Sequence, residues 1–263
     1  QLEGSKVFAK DLMKKYNIPT AAYGVFHKVD EAKAFIAQTG APIVVKADGL
    51  AAGKGVVVAM TIDEANVAVE DMLSGNRFGD AGSTVVIEEF MEGEEASLLA
   101  FVDGKTVVPM IASQDHKRIF DGDKGPNTGG MGTYAPAPVL TDALRDEAMK
   151  TILEPMVAAM EKEGMPYVGC LYAGLMITDE GPKVVEFNAR FGDPETQVVL
   201  PLLDSDLGEI MMACAKGTLT SNMVKWKDSS AACVILASKG YPETSSKGDV
   251  ISGDIKQYDK IGR

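Results

Sequence analysis

Apolar residues recur along the chain with two periods, one typical of helices and one typical of strands. Phe8, Leu12 and Tyr16 follow Ser5 at helical spacing, and serine is a preferred residue at helix N-caps, so this segment predicts a first helix. Similar patterns predict further helices that begin at residues 30, 61, 141 and 206, and strands over 42–46, 56–60, 84–90, 106–112, 169–177 and 182–190. Another strand is predicted to begin near Ala96. Helices and strands mixed in this way indicate an α+β fold.

Local signals at three points refine this pattern. Thr61 and Glu64 have the spacing of a capping box, which predicts the start of the third helix. The stretch over 113–138 has many glycines and prolines and little periodicity, so it predicts a long loop of the kind that is usually functional or disordered. The helix that begins near residue 141 is predicted to reach residue 164 and to bend at Pro155.

Composition and charge narrow the class of protein. The 263 residues are 46% hydrophobic and 24% charged, which is typical of a globular protein with a sizeable core. A formal net charge of −12 argues against nucleic acid or an anionic membrane as a bulk partner, since either needs a broad basic face. The spacing of Cys170, Cys214 and Cys233 fits no disulfide framework, and no apolar run approaches the ~20 residues of a membrane span. We therefore expect a cytoplasmic protein with reduced thiols.

A glycine-rich segment over 46–55 is the first candidate for chemistry. Glycines let the backbone approach an anion closely, and Lys46 and Lys54 at its two ends carry charge that neutralises phosphate. The spacing is one residue short of a Walker A loop, and Gly55 stands where that loop has its Mg²⁺-binding Ser or Thr. A strand follows, where a Walker A loop would begin a helix. The segment therefore predicts a flap over phosphates on a hairpin, with an ordinary hairpin turn as the alternative.

The predicted strand over 182–190 is the second candidate, because its side chains alternate between a polar and an apolar face. The predicted polar face consists of Glu186, Asn188 and Arg190. The predicted apolar face consists of Val185, Phe187 and Ala189. A carboxylate and an amide oxygen two residues apart suit Mg²⁺, and a neighbouring arginine suits a phosphoryl oxygen. A solvated sheet face is the alternative.

Two further segments carry weaker signals. The predicted loop holds Asp115, His116 and Lys117 and then a glycine-rich stretch over 125–132, a combination that suits a pocket for a small anionic substrate. The acidic segment over 86–95 suits a linker that binds an adenine edge through its backbone and a ribose through a carboxylate. A partly buried loop histidine and a solvated sheet edge are the respective alternatives.

Taken in order, these segments resemble the ATP-grasp ligases, and among them the glycinamide ribonucleotide synthetases (phosphoribosylamine–glycine ligases) of purine biosynthesis. The matching stretches span nearly the whole chain and comprise residues 2–6, 46–55, 87–95, 114–118, 125–132 and 186–195. Two of them, the G-P-N-T-G-G-M-G loop and the E-F-N-A-R-F-G-D-P-E segment, are specific to this family within the superfamily. The resemblance implies magnesium-dependent, nucleotide-binding ligase activity.

The resemblance also implies roles for individual residues. The implied ligands of the ATP phosphates are Lys6, Lys46, Gly53, Lys54 and Gly55. The implied adenine and ribose residues are Glu88, Glu89, Phe90, Met91 and Glu95. The implied ligands of Mg²⁺ or Mn²⁺ are Glu186 and Asn188. The residues implied to position glycine, the acyl phosphate and 5-phosphoribosylamine are Asp115, Lys117, Asn127, Gly129, Gly130 and Arg190.

The family fold implies two α+β subdomains that grip ATP between antiparallel sheets. Residues 24–90 would be the lid, residues 1–23 and 91–228 the larger subdomain, and residues 229–263 the start of a C-terminal domain. The chain begins at Gln1 rather than Met and ends soon after a strand-like start near residue 250, so we expect a segment of a longer protein. Such a segment would lack the domain that helps to bind phosphoribosylamine, and we expect it to be nearly inactive alone.

The implied reaction joins glycine to 5-phosphoribosylamine through glycyl phosphate, with ATP as the phosphoryl donor. Two other readings stay open from the residues. Another ATP-grasp ligase that activates a different carboxylate would share Lys46, the flap, Glu186 and Asn188. A non-catalytic module would bind ATP without turning it over.

Overall fold

The structure is a computed structural model, and it describes residues 1–49, 55–74, 83–122 and 124–253. The helices are α1 (Lys6–Lys15), α2 (Val29–Thr39), α3 (Ile62–Ser74), α4 (Asp142–Ala148), α5 (Glu154–Lys162), α6 (Thr196–Val199) and α7 (Leu207–Lys216). The strands are β1 (Tyr23–Phe26), β2 (Ile43–Ala47), β3 (Val56–Ala59), β4 (Val85–Glu89), β5 (Glu94–Asp103), β6 (Val107–Pro109), β7 (Gln114–Asp115), β8 (Arg118–Phe120), β9 (Lys124–Asn127), β10 (Gly132–Ala135), β11 (Val168–Thr178), β12 (Gly181–Asn188) and β13 (Ala231–Val234). The described residues also include a π turn (Met149–Leu153) and the 3-10 turns Leu200–Leu202 and Ser221–Met223.

The first sheet has the strand order β1-β4-β2-β3, and all its neighbours are antiparallel. Helices α2 and α3 cover one face of it, and Ile36 and Val69 from these helices are fully buried against Ile43 and Ile87 of the strands. The predicted N-cap of α3 forms, since the hydroxyl of Thr61 accepts from the N–H of Glu64 at 3.2 Å. The Glu64 carboxylate in turn accepts from the N–H of Met60 at 2.8 Å.

The second sheet, called here the long sheet, has the strand order β12-β11-β5-β6 and is also antiparallel. Side chains of β5 alternate between two cores: Leu98 packs with α1 and α5 on one face, while Leu99 and Phe101 pack with α6 and α7 on the other. A sheet covered on both faces needs apolar residues at nearly every position, which explains the unbroken apolar run from Leu98 to Val102.

The helix predicted over 141–164 is divided in the structure. Thr141 caps it as predicted, because its hydroxyl accepts from the N–H of Leu144 at 3.3 Å. The π turn then separates α4 from α5, directly before Pro155. Proline has no N–H for the carbonyl one turn earlier and crowds that carbonyl, so a wider turn at this point accommodates the ring. The structure thus places an interruption where the sequence predicted a bend.

The prediction of one long loop over 113–138 is wrong. This stretch contains β7, β8, β9 and β10. Strand β10 lies between β7 and β13 in a third sheet, and β8 pairs with β9. The strands have two to four residues, and β13 lies about a hundred residues further along the chain, so local periodicity carries no sign of the pairing.

The predicted apolar face of β12 is corrected by a β-bulge. The register against β11 shifts between Gly174 and Leu175, where Glu186 and Val184 are the respective partners. Val185 is therefore an extra residue in β12 that has no partner residue in β11. As a result Val184 and Phe187 both lie in the hydrophobic core, although they are three positions apart. The two other residues predicted for this face are not in the core: Val185 is half-buried at the bulge, and Ala189 is exposed beyond the strand end.

The division into a lid over 24–90, a larger part over 1–23 and 91–228, and a third part over 229–263 stays a prediction. The first sheet spans residues 23–89, and β13 pairs with β10 rather than with a strand of its own region. Within the described ranges, no helix combines the length and the apolar character that a membrane crossing requires.

The burial of Phe187 predicts a large effect on stability. Phe187 is 3% exposed in the core between the long sheet and α1, so Phe187→Ala should lower the free energy of unfolding by about 3–5 kcal/mol. Phe120→Ala is the control, because Phe120 is 63% exposed and its loss should change stability by about 0.5 kcal/mol or less. Urea unfolding measures both, and equal effects would contradict the assignment of Phe187 to the core.

Candidate functional site

The first sheet and the long sheet approach each other at the bulge of β12. The Nζ atom of Lys46, on β2, donates a hydrogen bond to the carbonyl oxygen of Val185 at 3.2 Å. Beside it, Thr20 and Val184 form a bridge, in which the N–H of Val184 donates to the carbonyl oxygen of Pro19 at 2.8 Å. These contacts place the polar end of β12 against Lys46 of the first sheet.

A buried ion triad of Lys10, Lys46 and Glu88 lies at this junction. Both lysine Nζ atoms are 2.9 Å from one carboxylate oxygen, Oε2 of Glu88. Lys10, Lys46 and Glu88 are 2%, 5% and 2% exposed, and charged residues are rarely so buried unless they are paired. Burial lowers the pKa of Lys10 to about 8; the charge of Glu88 opposes this shift and that of Lys46 adds to it. The triad thus pairs a predicted phosphate ligand, Lys46, with a predicted adenine residue, Glu88.

Lys6, a predicted phosphate ligand, lies beside the glycine-rich segment. Its Nζ donates to the carbonyl oxygen of Gly49 at 2.9 Å, and its backbone N–H donates to the Asp48 carboxylate at 2.6 Å. Asp48 therefore occupies the N-terminus of α1, where the helix dipole favours a negative charge. Burial lowers the pKa of Lys6, and the negative charge of Glu186 partly offsets this effect.

The predicted flap falls partly within the structure. Gly55 is buried, and its carbonyl oxygen accepts from the N–H of Ala47 at 2.8 Å, where the pairing of β2 and β3 begins. Gly53 and Lys54 lie outside the described residues. The structure therefore places the two strands of the predicted hairpin, and the role of the flap stays a prediction.

The predicted adenine residues follow one another from β4 into the link to β5. Glu89 is exposed, while Phe90 and Met91 are half-buried. Glu88, which precedes these three residues, instead points into the ion triad. Since side chains alternate along a strand, Glu88 and Glu89 face opposite sides of the first sheet.

The predicted polar face of β12 forms at the end of the strand. The side-chain N–H of Asn188 donates to Oε1 of Glu186 at 3.4 Å. Arg190 lies beyond the strand end and is half exposed, and its Nε donates to the carboxylate of Glu3 at 3.0 Å. The structure thus brings all three predicted residues together: Nη2 of Arg190 donates to Oδ1 of Asn188 at 3.5 Å, while Glu3 binds the same guanidinium group.

Glu186 is kept ionised by its neighbours. Burial raises the pKa of Glu186, but the charges of Lys117 and Lys46 outweigh burial and hold the pKa below its usual value. The oxygens of Glu186 and Asn188 are hard donors, which suit Mg²⁺. Among the described residues, no cluster of three or more His, Cys, Asp or Glu is arranged to hold a metal ion. The donor set therefore fits a cation that takes its other ligands from phosphate and water.

Lys117 and Glu95 form an ion pair on the side of the site nearest β7. The Lys117 Nζ lies 3.0 Å from Oε2 of Glu95. Burial lowers the pKa of Lys117, but the charges of Glu95 and Glu186 raise it by more, so the lysine stays cationic. Glu95 is predicted to bind a ribose, and in the structure its carboxylate is paired with Lys117.

Asp115 lies next to this pair in an unusual environment for a carboxylate. Its Oδ1 atom is buried and has no hydrogen-bond partner among the described residues. Burial and the nearby charge of Glu195 raise the pKa of Asp115 to about 7, although Lys117 opposes the shift. A group that titrates near neutral pH in such a pocket is characteristic of functional sites.

Gly130, the last residue of the predicted substrate segment 127–130, is packed tightly against Asp115. Gly130 has a φ of 119°, and a Cβ atom on it would lie 2.8 Å from Oδ1 of Asp115 and closer still to the Pro194 ring, so this position requires glycine. The N–H of Gly129 donates to the hydroxyl of Tyr241 at 2.9 Å. Asn127 lies at the end of β9 opposite Arg118 and is exposed.

Sequence reasoning missed a buried hydrogen-bond cluster of Ser97, Tyr172 and Glu195. The Tyr172 hydroxyl lies 2.5 Å from Oε1 of Glu195, and the Ser97 hydroxyl lies 3.0 Å from the same oxygen. Lys10 was also missed. The available signals were a serine and a tyrosine within apolar strands, and a lysine four residues after Lys6, which puts it on the same helix face.

Comparisons with known proteins identify relatives of this chain. A family model described as the phosphoribosylglycinamide synthetase ATP-grasp (A) domain matches residues 4–196. A curated relative, phosphoribosylamine–glycine ligase of Neisseria meningitidis, is 57% identical over an alignment of 264 positions that covers all of this chain and 62% of the relative. The chain thus spans about three-fifths of the length of the curated relatives it matches.

Solved structures show the same fold. A crystal structure of phosphoribosylamine–glycine ligase from Thermotoga maritima matches with a TM-score of 0.85 and 38% identity, over 94% of this chain and 62% of that one. The biotin carboxylase domain of 2-oxoglutarate carboxylase from Hydrogenobacter thermophilus, solved with MgADP and bicarbonate, matches with a TM-score of 0.67. It is 19% identical and the match covers 88% of this chain and 50% of that one, so it indicates the fold alone.

The environment of Asp115 predicts a pH dependence of stability. The carboxyl binds a proton more readily in the folded chain, where its pKa is about 7, than in the unfolded chain, where it is about 3.8. Its contribution to stability is therefore present below about pH 3.8 and is lost as the pH rises through about 7. Asp115→Asn removes this loss, so the variant should gain stability relative to the unmodified chain between pH 4 and pH 8. Urea unfolding at pH 5 and pH 8 tests this, and an equal difference at both pH values would contradict it.

Proposed function

Because this chain belongs to the phosphoribosylglycinamide synthetase ATP-grasp (A) domain family, we propose that it carries the ATP-binding part of a ligase that joins glycine to 5-phosphoribosylamine. The predicted resemblance and the ATP-grasp fold are confirmed by the family match and the solved structures. The observation that carries the proposal is the position of Glu186 beside Asn188, in the field of Lys46, Lys117 and Lys6.

In the proposed reaction the glycine carboxylate attacks the γ-phosphate of ATP and gives glycyl phosphate and ADP. The amine of 5-phosphoribosylamine then displaces phosphate and forms the amide of glycinamide ribonucleotide. The protein need not form a covalent bond in either step, since its cationic side chains stabilise charge that develops on transferred phosphoryl oxygens. Lys6 and Lys46 are proposed to face the ATP phosphates, and Gly53, Lys54 and Gly55 to cover them.

Mg²⁺ or Mn²⁺ is the proposed metal. Glu186 and Asn188 would hold it, because they offer one ionised carboxylate and one amide oxygen side by side. When bound, such a cation neutralises charge on the phosphate oxygens. The MgADP complex of the biotin carboxylase domain supports a magnesium nucleotide as the ligand of this fold.

The substrate side of the site is proposed to lie around Asp115. Lys117, Arg190 and the backbone from Asn127 to Gly130, including Gly129, would position glycine, the acyl phosphate and the amine. The cationic side chains suit the carboxylate and phosphate groups of these molecules. Glu89, Phe90 and Met91 are proposed to line the adenine, and Glu88 and Glu95 to act through the ion pairs that hold Lys46 and Lys117.

Partners and location complete the proposal. The partners are small molecules, with neither nucleic acid nor membrane among them, and the cytoplasm is the proposed location. Cys170 and Cys214 are buried and all three cysteines are free, which supports a reducing compartment. The chain spans about three-fifths of its relatives, and this favours a second candidate for the chain by itself: a module that binds ATP with little turnover.

The proposal predicts that the 263-residue chain binds MgATP. Calorimetric titration should show saturable binding of MgATP, and ADP release with glycine and phosphoribosylamine should stay well below the ~1–10³ s⁻¹ that is usual for enzymes. The longer relative of this family, assayed with each substrate omitted in turn, is the positive control. Absence of nucleotide binding by the chain would contradict the proposed function, and a normal rate of turnover would contradict the restriction to binding.

The metal assignment predicts a charge-specific loss. Glu186→Gln keeps the side-chain size and removes the charge, so it should weaken Mg²⁺-dependent ATP binding, and Asn188→Leu should do the same by removing an oxygen ligand. Glu180→Gln is the matched control, because Glu180 is an exposed carboxylate in the turn before the same strand. Titrations with and without Mg²⁺ measure the effect. If the Glu186→Gln variant folds and binds MgATP normally, the metal assignment is contradicted and the polar face is only a solvated sheet face.

A further inference from the structure

Lys10 is a buried lysine for which the proposed reaction has no role. Its ammonium group donates to Oε2 of Glu88 at 2.9 Å and to the Thr20 hydroxyl at 2.8 Å, and it lies 3.5 Å from the carbonyl oxygen of Ala21. The residue is 2% exposed. Protein oxygens therefore surround the ammonium group, and it is too deep to contact a ligand.

The surroundings of Lys10 hold it in one position. The Thr20 hydroxyl that accepts from Lys10 donates its own proton to the carbonyl oxygen of Val184 at 2.7 Å. Val184 is the last residue before the bulge of β12, and Lys46 contacts the next carbonyl group, that of Val185. Lys10 is thus fixed to the same part of β12 that Lys46 reaches from the first sheet.

The charges of the triad do not balance. Lys10 and Lys46 share one oxygen of Glu88, and the other oxygen, Oε1, is buried without a hydrogen-bond partner in the described part of the chain. Two cations and one anion leave one positive charge in a buried region, which is costly unless an anion lies nearby. Glu186 lies near Lys46, but its charge also acts on Lys6 and Lys117.

We propose that Lys10 is a positioning residue that keeps Lys46 available for the phosphates of the nucleotide. By taking part of the interaction with the shared Glu88 oxygen, Lys10 prevents Glu88 from neutralising Lys46 completely. Lys46 then presents a net positive charge toward the end of β12, where Glu186 and Asn188 lie. This inference rests on the proposed function, since it concerns the same ATP site.

The charge bookkeeping predicts how variants of the triad behave. Lys10→Met removes one cation and leaves Lys46 and Glu88 as a neutral pair, so the variant should fold. The double variant Lys10→Met/Glu88→Gln leaves Lys46 as the one charged residue of the triad. The net charge of the triad is then +1, as it is in the unmodified protein. Lys14→Met is the matched control, because Lys14 lies one turn further along α1 and is exposed.

The experiment is a calorimetric titration of the 263-residue chain and these variants with MgATP and with adenosine. Lys10→Met should weaken MgATP binding about tenfold, because Glu88 then pairs with Lys46 alone and neutralises more of its positive charge. Adenosine binding should stay within about twofold, because adenosine carries no phosphate. Lys14→Met should leave both unchanged, and the double variant should recover MgATP binding to within about threefold of the unmodified chain.

The outcomes separate this inference from the proposed function. If the unmodified chain binds no ATP, the proposed function fails. If it binds ATP and Lys10→Met binds equally well, or loses adenosine binding to the same degree, the positioning role of Lys10 is contradicted. If Lys10→Met does not fold, the single variant Glu88→Gln is compared with the double variant Lys10→Met/Glu88→Gln. Equal MgATP binding by these two variants supports action of Lys10 through Glu88. A tenfold weaker binding by the double variant contradicts it.

Discussion

The contact between the Glu88 carboxylate and the ammonium groups of Lys10 and Lys46 joins the parts of the molecule on which the candidate site depends. Glu88 and Lys46 come from neighbouring strands of the first sheet, while Lys10 comes from α1. Burying these groups is unfavourable unless each keeps its partners. The relative position of the first sheet, α1 and the end of β12 is therefore restricted by charge as well as by apolar packing. Glu186 and Asn188 take their place from this arrangement.

Much of the fold follows from local sequence signals. The caps at Ser5, Thr141 and Asp206, and the left-handed glycine at Gly217 that ends α7, are short-range features. They depend on hydrogen bonds within one turn of a helix, so the sequence alone predicts them. The hairpin of β11 and β12 is predictable for the same reason, since a tight turn of Asp179 and Glu180 joins its two strands.

Features that depend on distant partners could not be predicted. Strand β10 pairs with β13 on one side and with β7 on the other, and nothing within residues 113–138 indicates β13 as a neighbour. The bulge of β12 shifts the core from Val185 to Val184, and only the pairing with β11 decides this shift. The candidate site shows the same division. The sequence indicated Lys46, Glu186 and Asn188 by residue type and spacing. That Lys46 pairs with Glu88 is seen only in the folded structure.

The bulge of β12 also affects self-association. Strand β12 is an edge of the long sheet, and an exposed edge offers backbone groups to which another chain can add a strand. At the bulge these groups are already used: the N–H of Val184 donates to Pro19, its carbonyl accepts from Thr20, and the carbonyl of Val185 accepts from Lys46. The contacts that orient the site thus interrupt the edge as a template for aggregation.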